Sequence, residues 1–463
     1  MKILFVIYDN ESHISYFPMG VGYLASYIKQ QGFNDITIYN QDVYHHSEDH
    51  LTQFIKDHTF DVVGIGIIGG YYQYKKLLAL SKAINAAPNR PFFIIGGHGP
   101  SPEPAYYLIK TRADLAVIGE GEIVFTNVLR ALASGTALTE IKGIAYREDE
   151  EIIVNPREEL IKDIDSIPMP DWRLFPMEYY SLMRAPGVRS TERTFQVLTG
   201  RGCPFKCNFC YRMDPGCRPR SAESVIEELQ ILKRDFNITF FDFTDDLFML
   251  NKKRTMDFCE KIIAANLNIR FICEGRLNHA TPEVLKIMKR AGCVFINYGI
   301  ESLDEKALIT MNKNLTVDEI INGVENTVAA GLDPGLNIIW GNLGETTESL
   351  EKGVNFLIKY NTLSQLRTIR PVTPYPGSPL YYEAIERGLL KDVADFYENK
   401  HLNSDLLAVN FTKLSDDEFY IHLHLANKTI IEDYFNRQKA SYLQTLHNLY
   451  VERNVNFRGF RQT

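Results

Sequence analysis

Gly202-Cys203-Pro204-Phe205-Lys206-Cys207-Asn208-Phe209-Cys210-Tyr211 stands just after a short apolar run at residues 194–198. Its cysteines are spaced C-x3-C-x2-C. Three thiolates on one short loop can hold three irons of a cubic 4Fe–4S cluster, which a fourth protein ligand would normally close. No fourth cysteine continues the spacing, so one iron is left open. By extension from zinc, an open position on a metal marks a catalytic site. The alternative is structural zinc with Cys217 as the fourth ligand. Structural zinc sites pair two knuckles, or a Cys pair with a His pair, and neither a second C-x2-C nor an H-x3-5-H follows here. The chain has seven cysteines, an odd number without framework spacing, which suits a reducing compartment rather than disulfides.

The C-x3-C-x-aromatic-C pattern, with Phe209 at the aromatic position, resembles the signature of the radical SAM enzymes. The resemblance implies that S-adenosylmethionine (SAM) chelates the open iron of a 4Fe–4S cluster held by Cys203, Cys207 and Cys210, with Phe209 and Tyr211 beside it. An electron from the cluster then splits SAM, and the 5′-deoxyadenosyl radical takes hydrogen from an unactivated carbon.

The rest of the chain sets bounds on that reading. At 463 residues it is long enough for two or three domains, and 45% hydrophobic content supports packed cores. A net charge of −8 with scattered Lys and Arg leaves no basic footprint for nucleic acid. No apolar run approaches the ~20 residues that span a bilayer. Met1-Lys2-Ile3-Leu4-Phe5-Val6-Ile7 reaches Asp9 and Glu11 too soon for a signal peptide and reads as a first strand. A cytoplasmic protein without a membrane span is expected.

Residues 1–155 alternate apolar runs (3–7, 36–39, 62–67, 92–95, 115–118) with amphipathic segments (21–31, 51–56, 73–86, 122–133). Strands buried on both faces with helices between them make a parallel α/β sheet, Rossmann-like or flavodoxin-like, with ligands beyond the carboxyl ends of its strands. Glycines fall at those ends: Gly69-Gly70, Gly96-Gly97 before His98, and Gly119-Glu120-Gly121-Glu122. One such loop is an ordinary turn; three point to a ligand. No G-x-G-x-x-G follows the first strand, where Tyr8-Asp9-Asn10-Glu11-Ser12 stands, which argues against NAD or FAD. Together with Pro18-Met19-Gly20-Val21-Gly22-Tyr23-Leu24, the later two loops resemble the cobalamin-binding domain of one large radical SAM subfamily. The resemblance implies cobalamin contacts from Gly69, Gly70, Gly96, Gly97, Gly119, Glu120 and Gly121. The D-x-H-x-x-G motif that ligates cobalt in many cobalamin proteins is absent, since Asp9 and His13 are four apart. Tyr71, Tyr72 and Tyr74 follow the third strand and are bulky enough to fill the groove for the nucleotide tail. His45 and His46 read as solvent-facing.

Prolines 156, 168, 170 and 176 mark a linker over residues 156–190. From 191 to 390 a second alternation has strands at 194–198, 240–243, 270–274, 294–299, 335–340 and 366–371. Helices follow at 221–233, 252–265, 282–290, 317–330, 346–359 and 379–387. Six βα units predict a partial (β/α)6 barrel with the cysteine loop at its C-terminal rim, where barrel enzymes do chemistry. Asp245, Asp246, Glu274, Arg276, Glu301 and Ser302 share that rim and suit the ammonium, carboxylate and ribose of SAM. Helix capping is the alternative for Asp245, Ser302 and Asp304. Asp245-Asp246, Gly299-Ile300-Glu301-Ser302 and Gly341-Asn342-Leu343-Gly344-Glu345-Thr346 match SAM-contacting segments of the family, with Leu343 in place of its usual proline. Cys259, Cys273 and Cys293 read as core. Residues 391–463 predict an aromatic-rich helical region over the open side of the barrel.

The expected activity is therefore radical SAM chemistry. The first reading is cobalamin-dependent methyl transfer. The second is a dehydration, cyclisation or rearrangement with a first domain that has lost cobalamin. The substrate is a small molecule or peptide, and the electron comes from a donor such as flavodoxin or ferredoxin.

Overall fold

The computed structural model describes residues 1–11, 16–149, 151–213, 215–456 and 460. The first sheet contains β1 (Lys2–Ile7), β2 (Asp35–Asn40), β3 (Val62–Gly66), β4 (Phe92–Gly96), β5 (Leu115–Val117), β6 (Ile144–Glu148) and β7 (Glu151–Val154), in the order β2-β1-β3-β4-β5-β6-β7. β1 to β5 are parallel, and β6–β7 is an antiparallel hairpin on the edge. The order 2-1-3-4-5 is flavodoxin-like, with its switch point between β1 and β3. Alternate residues of β1 enter different cores: Ile3, Phe5 and Ile7 on one face, Leu4 and Val6 on the other. Both faces are covered, which is why the run is continuously apolar. The helix Pro104–Thr111 between β4 and β5 had no counterpart in the sequence reading; its N-terminus is hidden in Pro102-Glu103-Pro104.

The second sheet contains β8 (Thr194–Val197), β11 (Phe240–Phe243), β12 (Arg270–Gly275), β13 (Cys293–Glu301), β14 (Asp333–Trp340) and β15 (Arg370–Pro371). Its order is β15-β14-β13-β12-β11-β8 and every pairing is parallel, as a (β/α)6 half-barrel requires. Between β8 and β11 lies a short antiparallel pair, β9 (Gly200–Arg201) and β10 (Arg218–Pro219). β15 is shorter than the 366–371 expected. Just before it, the Asn427 side chain brackets Ile369, accepting from its N–H at 2.8 Å and donating to its C=O at 2.9 Å, so a side chain takes the place of a ladder partner.

The C-terminal region divides its contacts. The helix Asp416–Tyr450 lies along the helix Thr347–Tyr360, with Phe419 stacked on Trp340 at 4.3 Å. The preceding stretch touches both units: Asp405 pairs with Arg370 of β15 at 3.2 Å. It returns to the first sheet, where Tyr397 stacks on Tyr74 at 4.6 Å and Tyr381 donates to Glu103. On the other side of the first sheet, Phe17 joins the two units. Its ring lies 4.8 Å from Phe175 and 5.0 Å from Phe195, and its N–H donates to Gln196 Oε1 at 2.9 Å. The carboxyl ends of both sheets thereby open onto one cavity. Among the described residues, no helix is long and apolar enough to cross a membrane.

Candidate active site between the two sheets

The cysteine loop leaves β8 through Thr199 and closes at its base where Arg201 pairs with Arg218 across β9 and β10. Gly202 has a φ of +81°, the left-handed conformation that glycine adopts without strain and that turns the chain into the loop. The loop is held by backbone and side-chain bonds alike. Asn208 N–H donates to Met311 C=O at 2.9 Å, Leu380 N–H to Asn208 C=O at 2.8 Å, and Asn312 Nδ2 to Lys206 C=O at 2.8 Å. Asn208 and Asn342 exchange side-chain amide bonds of 3.0 and 2.9 Å. All seven cysteines are free, and Cys203, Cys207 and Cys210 line one cavity. The hydrogen bond from Cys210, with the nearby charge of Lys313, holds the Cys207 thiol down at about 6; its own bond to Cys207 pushes Cys210 up. The donor set fits a cluster: three unpaired thiols, one of them readily ionised, on a braced loop.

The rim residues divide into struts and free groups. Asp245 is buried, accepts from Thr199 N–H at 2.6 Å and from the Thr199 hydroxyl, and is pushed up to about 6 by burial. It ties β11 to the entry of the cysteine loop and is neither exposed nor a helix cap. Asp246, next in the chain, lines the cavity and is exposed to it. Arg276 stacks over the Phe205 ring at 3.6 Å and donates to the carbonyls of Lys313 and Asn314, behind the loop. Glu274 points into the barrel, where both its oxygens accept from Asn297 Nδ2 at 2.9 Å, and burial pushes it up to about 7. Ser302 donates to Glu345 Oε1 at 3.0 Å, while Glu345 Oε2 accepts from the N–H groups of Gly341 and Asn342. Phe209 is half-buried near Lys313, and the Tyr211 ring meets the His98 ring edge-on at 4.6 Å.

Glu301 ends β13 with a φ of +68°, a strained conformation for a residue with a side chain. Its carboxylate pairs with Lys313 Nζ at 2.9 Å, both side chains being more than nine-tenths buried. Burial alone would lower Lys313; the charges of Glu301 and Cys207 outweigh it and raise it. The sequence reading did not single out Lys313. Met311-Asn312-Lys313-Asn314 looks like an exposed turn, and only its distance from Glu301, fixed by the intervening short helix, hinted at a buried partner.

The cavity has a volume of about 890 Å³ and runs from the cysteines to the interior of the first sheet. Its inner end is a trough walled by Phe5, Val21, Leu24 and Phe125 and floored by Gly64 and Gly66. These glycines occupy alternate positions of β3 and so share one face of the strand. A Cβ at Gly66 would find nothing closer than Val21 Cγ2 at 3.8 Å, so the bare strand leaves open space. The three glycine loops are not equivalent. Gly96, Gly97, Gly119 and Gly121 line the cavity; Gly69 and Gly70 do not. Gly69 packs under Tyr375 and Tyr397, and Gly70 precedes the helix Tyr71–Ala86. Glu120 lines the cavity, but its carboxylate is occupied elsewhere, by Arg201 and Arg218.

The tyrosines do not fill the trough. Tyr74 is stacked on Tyr397 and bonded to Tyr106, and Tyr72 donates to Asp9 C=O at 3.1 Å. A deep apolar trough that opens on glycine-lined loops suits the nucleotide tail and ring of cobalamin. On the cavity wall, Arg212 Nε is buried with no hydrogen-bond partner among the described residues. Asp9 accepts from His45 Nδ1 at 2.7 Å, whereas His13 lies outside the described residues.

Comparison with known proteins agrees with this geometry. Residues 197–357 match the Radical SAM superfamily model and residues 8–129 match the B12 binding domain model. An uncharacterized methyltransferase of Pyrococcus horikoshii is 31% identical over 94% of this chain and 95% of its own length. The anaerobic magnesium-protoporphyrin IX monomethyl ester cyclase of Rubrivivax gelatinosus is 26% identical over 87% of this chain and 77% of its own. Among solved structures, the radical SAM methyltransferase TsrM of Kitasatospora setae, with cobalamin and a [4Fe-4S] cluster bound, superposes with a TM-score of 0.68. It is 16% identical, and the match covers 84% of this chain and 75% of TsrM.

Proposed function

Because the chain belongs to the radical SAM superfamily, in the branch that carries a B12-binding domain, we propose that it methylates an unactivated carbon of a small-molecule or peptide substrate. The observation that carries this reading is one cavity of about 890 Å³ lined both by Cys203, Cys207 and Cys210 and by the glycine trough of the first sheet. Both cofactors must reach one carbon, and a shared cavity supplies that proximity. When bound, the cluster and SAM supply the hydrogen-abstracting radical, and cobalamin supplies the methyl group.

The chain's own residues supply position and exclusion of water. Cys203, Cys207 and Cys210 hold the cluster. Asp246 is the rim carboxylate facing the cavity and takes the ammonium of SAM. Lys313 and Glu301 set charge beside Cys207. Phe209 and Tyr211 wall the site, and the backbones of Gly96, Gly97, Gly119 and Gly121 approach the corrin. A low-potential flavodoxin or ferredoxin donates the electron. The reading without cobalamin rested on the tyrosines after β3 and on the missing D-x-H-x-x-G motif; the tyrosines lie outside the trough, and the motif is absent from the chain.

Anaerobically reconstituted protein tests the reading in two steps. With a strong reductant and SAM it is expected to release 5′-deoxyadenosine, and after incubation with hydroxocobalamin to retain one corrinoid per chain through gel filtration. Absence of 5′-deoxyadenosine refutes the radical chemistry. Release of 5′-deoxyadenosine without corrinoid uptake refutes methyl transfer.

A further inference from the structure

Arg201 and Arg218 are cross-strand neighbours at the base of the cysteine loop. Like charges placed opposite each other in a sheet repel. Here a carboxylate from the first domain bridges them. Glu120 Oε1 accepts from Arg201 Nη1 at 2.8 Å and from Arg218 Nη2 at 2.9 Å; Glu120 Oε2 accepts from Arg218 Nη1 at 2.9 Å and from Ile161 N–H at 3.2 Å. Two bonds to each oxygen saturate a carboxylate, which leaves Glu120 nothing to offer a ligand. Glu122 accepts a further bond from Arg201 Nη2 at 2.6 Å, and Arg218 Nη1 also donates to Ile161 C=O at 2.7 Å. The Glu120 and Glu122 side chains are 7% and 6% exposed, so solvent screens little of this.

Glu120 therefore stands between two sites. Its neighbours Gly119 and Gly121 form the cavity wall at the carboxyl end of β5. Its side chain clamps the two strands through which the cysteine loop enters and leaves. Whatever fixes the glycine loop also fixes the arginine pair, and through it the span that carries Cys203, Cys207 and Cys210.

We propose that Glu120 is a positioning residue that couples occupancy of the corrin trough to retention of the iron–sulfur cluster. The proposal rests on the assignment of that trough to cobalamin. A ligand that orders the Gly119–Gly121 turn holds the base of the cysteine loop closed, and an empty trough leaves it free to open. Linkage makes the effect reciprocal, and couplings of this kind run to about 5–150-fold.

The test is iron release from anaerobically reconstituted full-length protein to a ferrous chelator, with and without hydroxocobalamin, alongside a separate measurement of corrinoid binding. Iron leaves from the opened loop, so its loss follows the open population, and in the wild type bound cobalamin is expected to slow it about tenfold, the size of an ordinary coupling. In Glu120→Gln, which loses the charge that bridges the arginines, the ratio of the two rates is expected to fall toward one while corrinoid still binds. Should Glu120→Gln fail to fold, Arg218→Lys is measured in the same way, since lysine keeps the charge but not the two-pronged grip. A variant that binds corrinoid and keeps the full wild-type protection overturns the proposal. So does a wild type that binds corrinoid and gains no protection. A wild type that binds no corrinoid refutes the trough assignment instead, and the two failures are told apart by the binding measurement.

Discussion

Gly66→Leu isolates the trough from everything else in the molecule. Gly66 ends β3, lies on its cavity face, and has Val21 Cγ2, 3.8 Å from a built Cβ, as its nearest neighbour. A leucine there meets open space rather than packed atoms. Replacing glycine in a strand recovers about 0.5–1 kcal/mol of conformational entropy, so the folded protein is expected to be unharmed or slightly stabilised. Gly64 is a poor choice for the same experiment, because its Cβ would sit 3.0 Å from the Phe5 ring. The leucine side chain takes the place of ligand atoms. The ligand forfeits the burial of a leucine-sized surface, about 1.5–3 kcal/mol, and strain from overpacking adds about 1–3 kcal/mol. A combined loss of about 2.5–6 kcal/mol lowers corrinoid affinity between about 60-fold and about 20,000-fold. The assay is equilibrium titration of the cluster-loaded protein with hydroxocobalamin, followed by absorbance. Iron content and release of 5′-deoxyadenosine are measured on the same samples. The expected pattern is corrinoid affinity lost, iron content before corrinoid is added unchanged, and 5′-deoxyadenosine still released. Wild-type corrinoid affinity in Gly66→Leu would refute the assignment of the trough.

Three further outcomes are expected. Lys313→Met strands the Glu301 carboxylate in a buried site and is expected to cost about 3–5 kcal/mol in thermal or denaturant unfolding; adding Glu301→Gln recovers most of it, and a single variant within 1 kcal/mol of wild type contradicts the buried pair. Cys217→Ser is expected to keep about four irons per chain while Cys203→Ser loses them, because Cys217 stands outside the cavity that the other three line; equal iron loss in both makes Cys217 a ligand. His401 is fully buried with no hydrogen-bond partner for either ring nitrogen among the described residues, and burial lowers it from 6.5 to about 4. A depressed histidine stabilises the fold above its unfolded value, and that contribution is lost as pH falls from about 6.5 through about 4. The full difference is about 3 kcal/mol at ~1.4 kcal/mol per unit. His401→Phe is therefore expected to flatten the loss of stability between those pH values, and an unchanged acid profile counts against it.

How much of this was legible in the sequence depends on the range of the signal. Apart from β15, whose start was placed four residues early, the parallel strands of both sheets were found to within a residue or two, because an element buried on both faces writes itself as a short continuous apolar run. The cysteine spacing was legible for the same local reason. Gly64 and Gly66 carried a readable sign, glycine at every second position of a strand, but the doubled Gly69-Gly70 is the louder signal, and there Gly69 packs under Tyr375 and Tyr397 while Gly70 meets Gln73. β9 and β10 are two residues each, too short for any periodicity, so the facing of Arg201 and Arg218 was invisible. Lys313 could not be told from a surface lysine until β13 placed it beside Glu301. The aromatic stretch from Tyr381 to Tyr397 announced packing but not its partner, because contacts with Tyr74 and Glu103 cross some three hundred residues.

The rim polar groups carry a common argument. Read from sequence, Asp245, Glu274, Arg276 and Ser302 were all candidates to touch SAM. In the fold, Asp245 holds Thr199, Arg276 holds the carbonyls of Lys313 and Asn314, and Ser302 holds Glu345, which in turn caps Gly341 and Asn342. Each of these bonds ends on a segment that itself touches the cysteine loop or the turn bonded to it. A radical abstracts hydrogen from whatever carbon it meets, so selectivity has to come from distance and angle, and a misplacement of about 1 Å can cost about a hundredfold. A loop outside helix and strand, with one proline to fix a single φ, cannot supply such placement alone. Charged and polar side chains committed to backbone atoms behind the loop supply it, while Asp246 and Arg212 stand on the cavity wall itself.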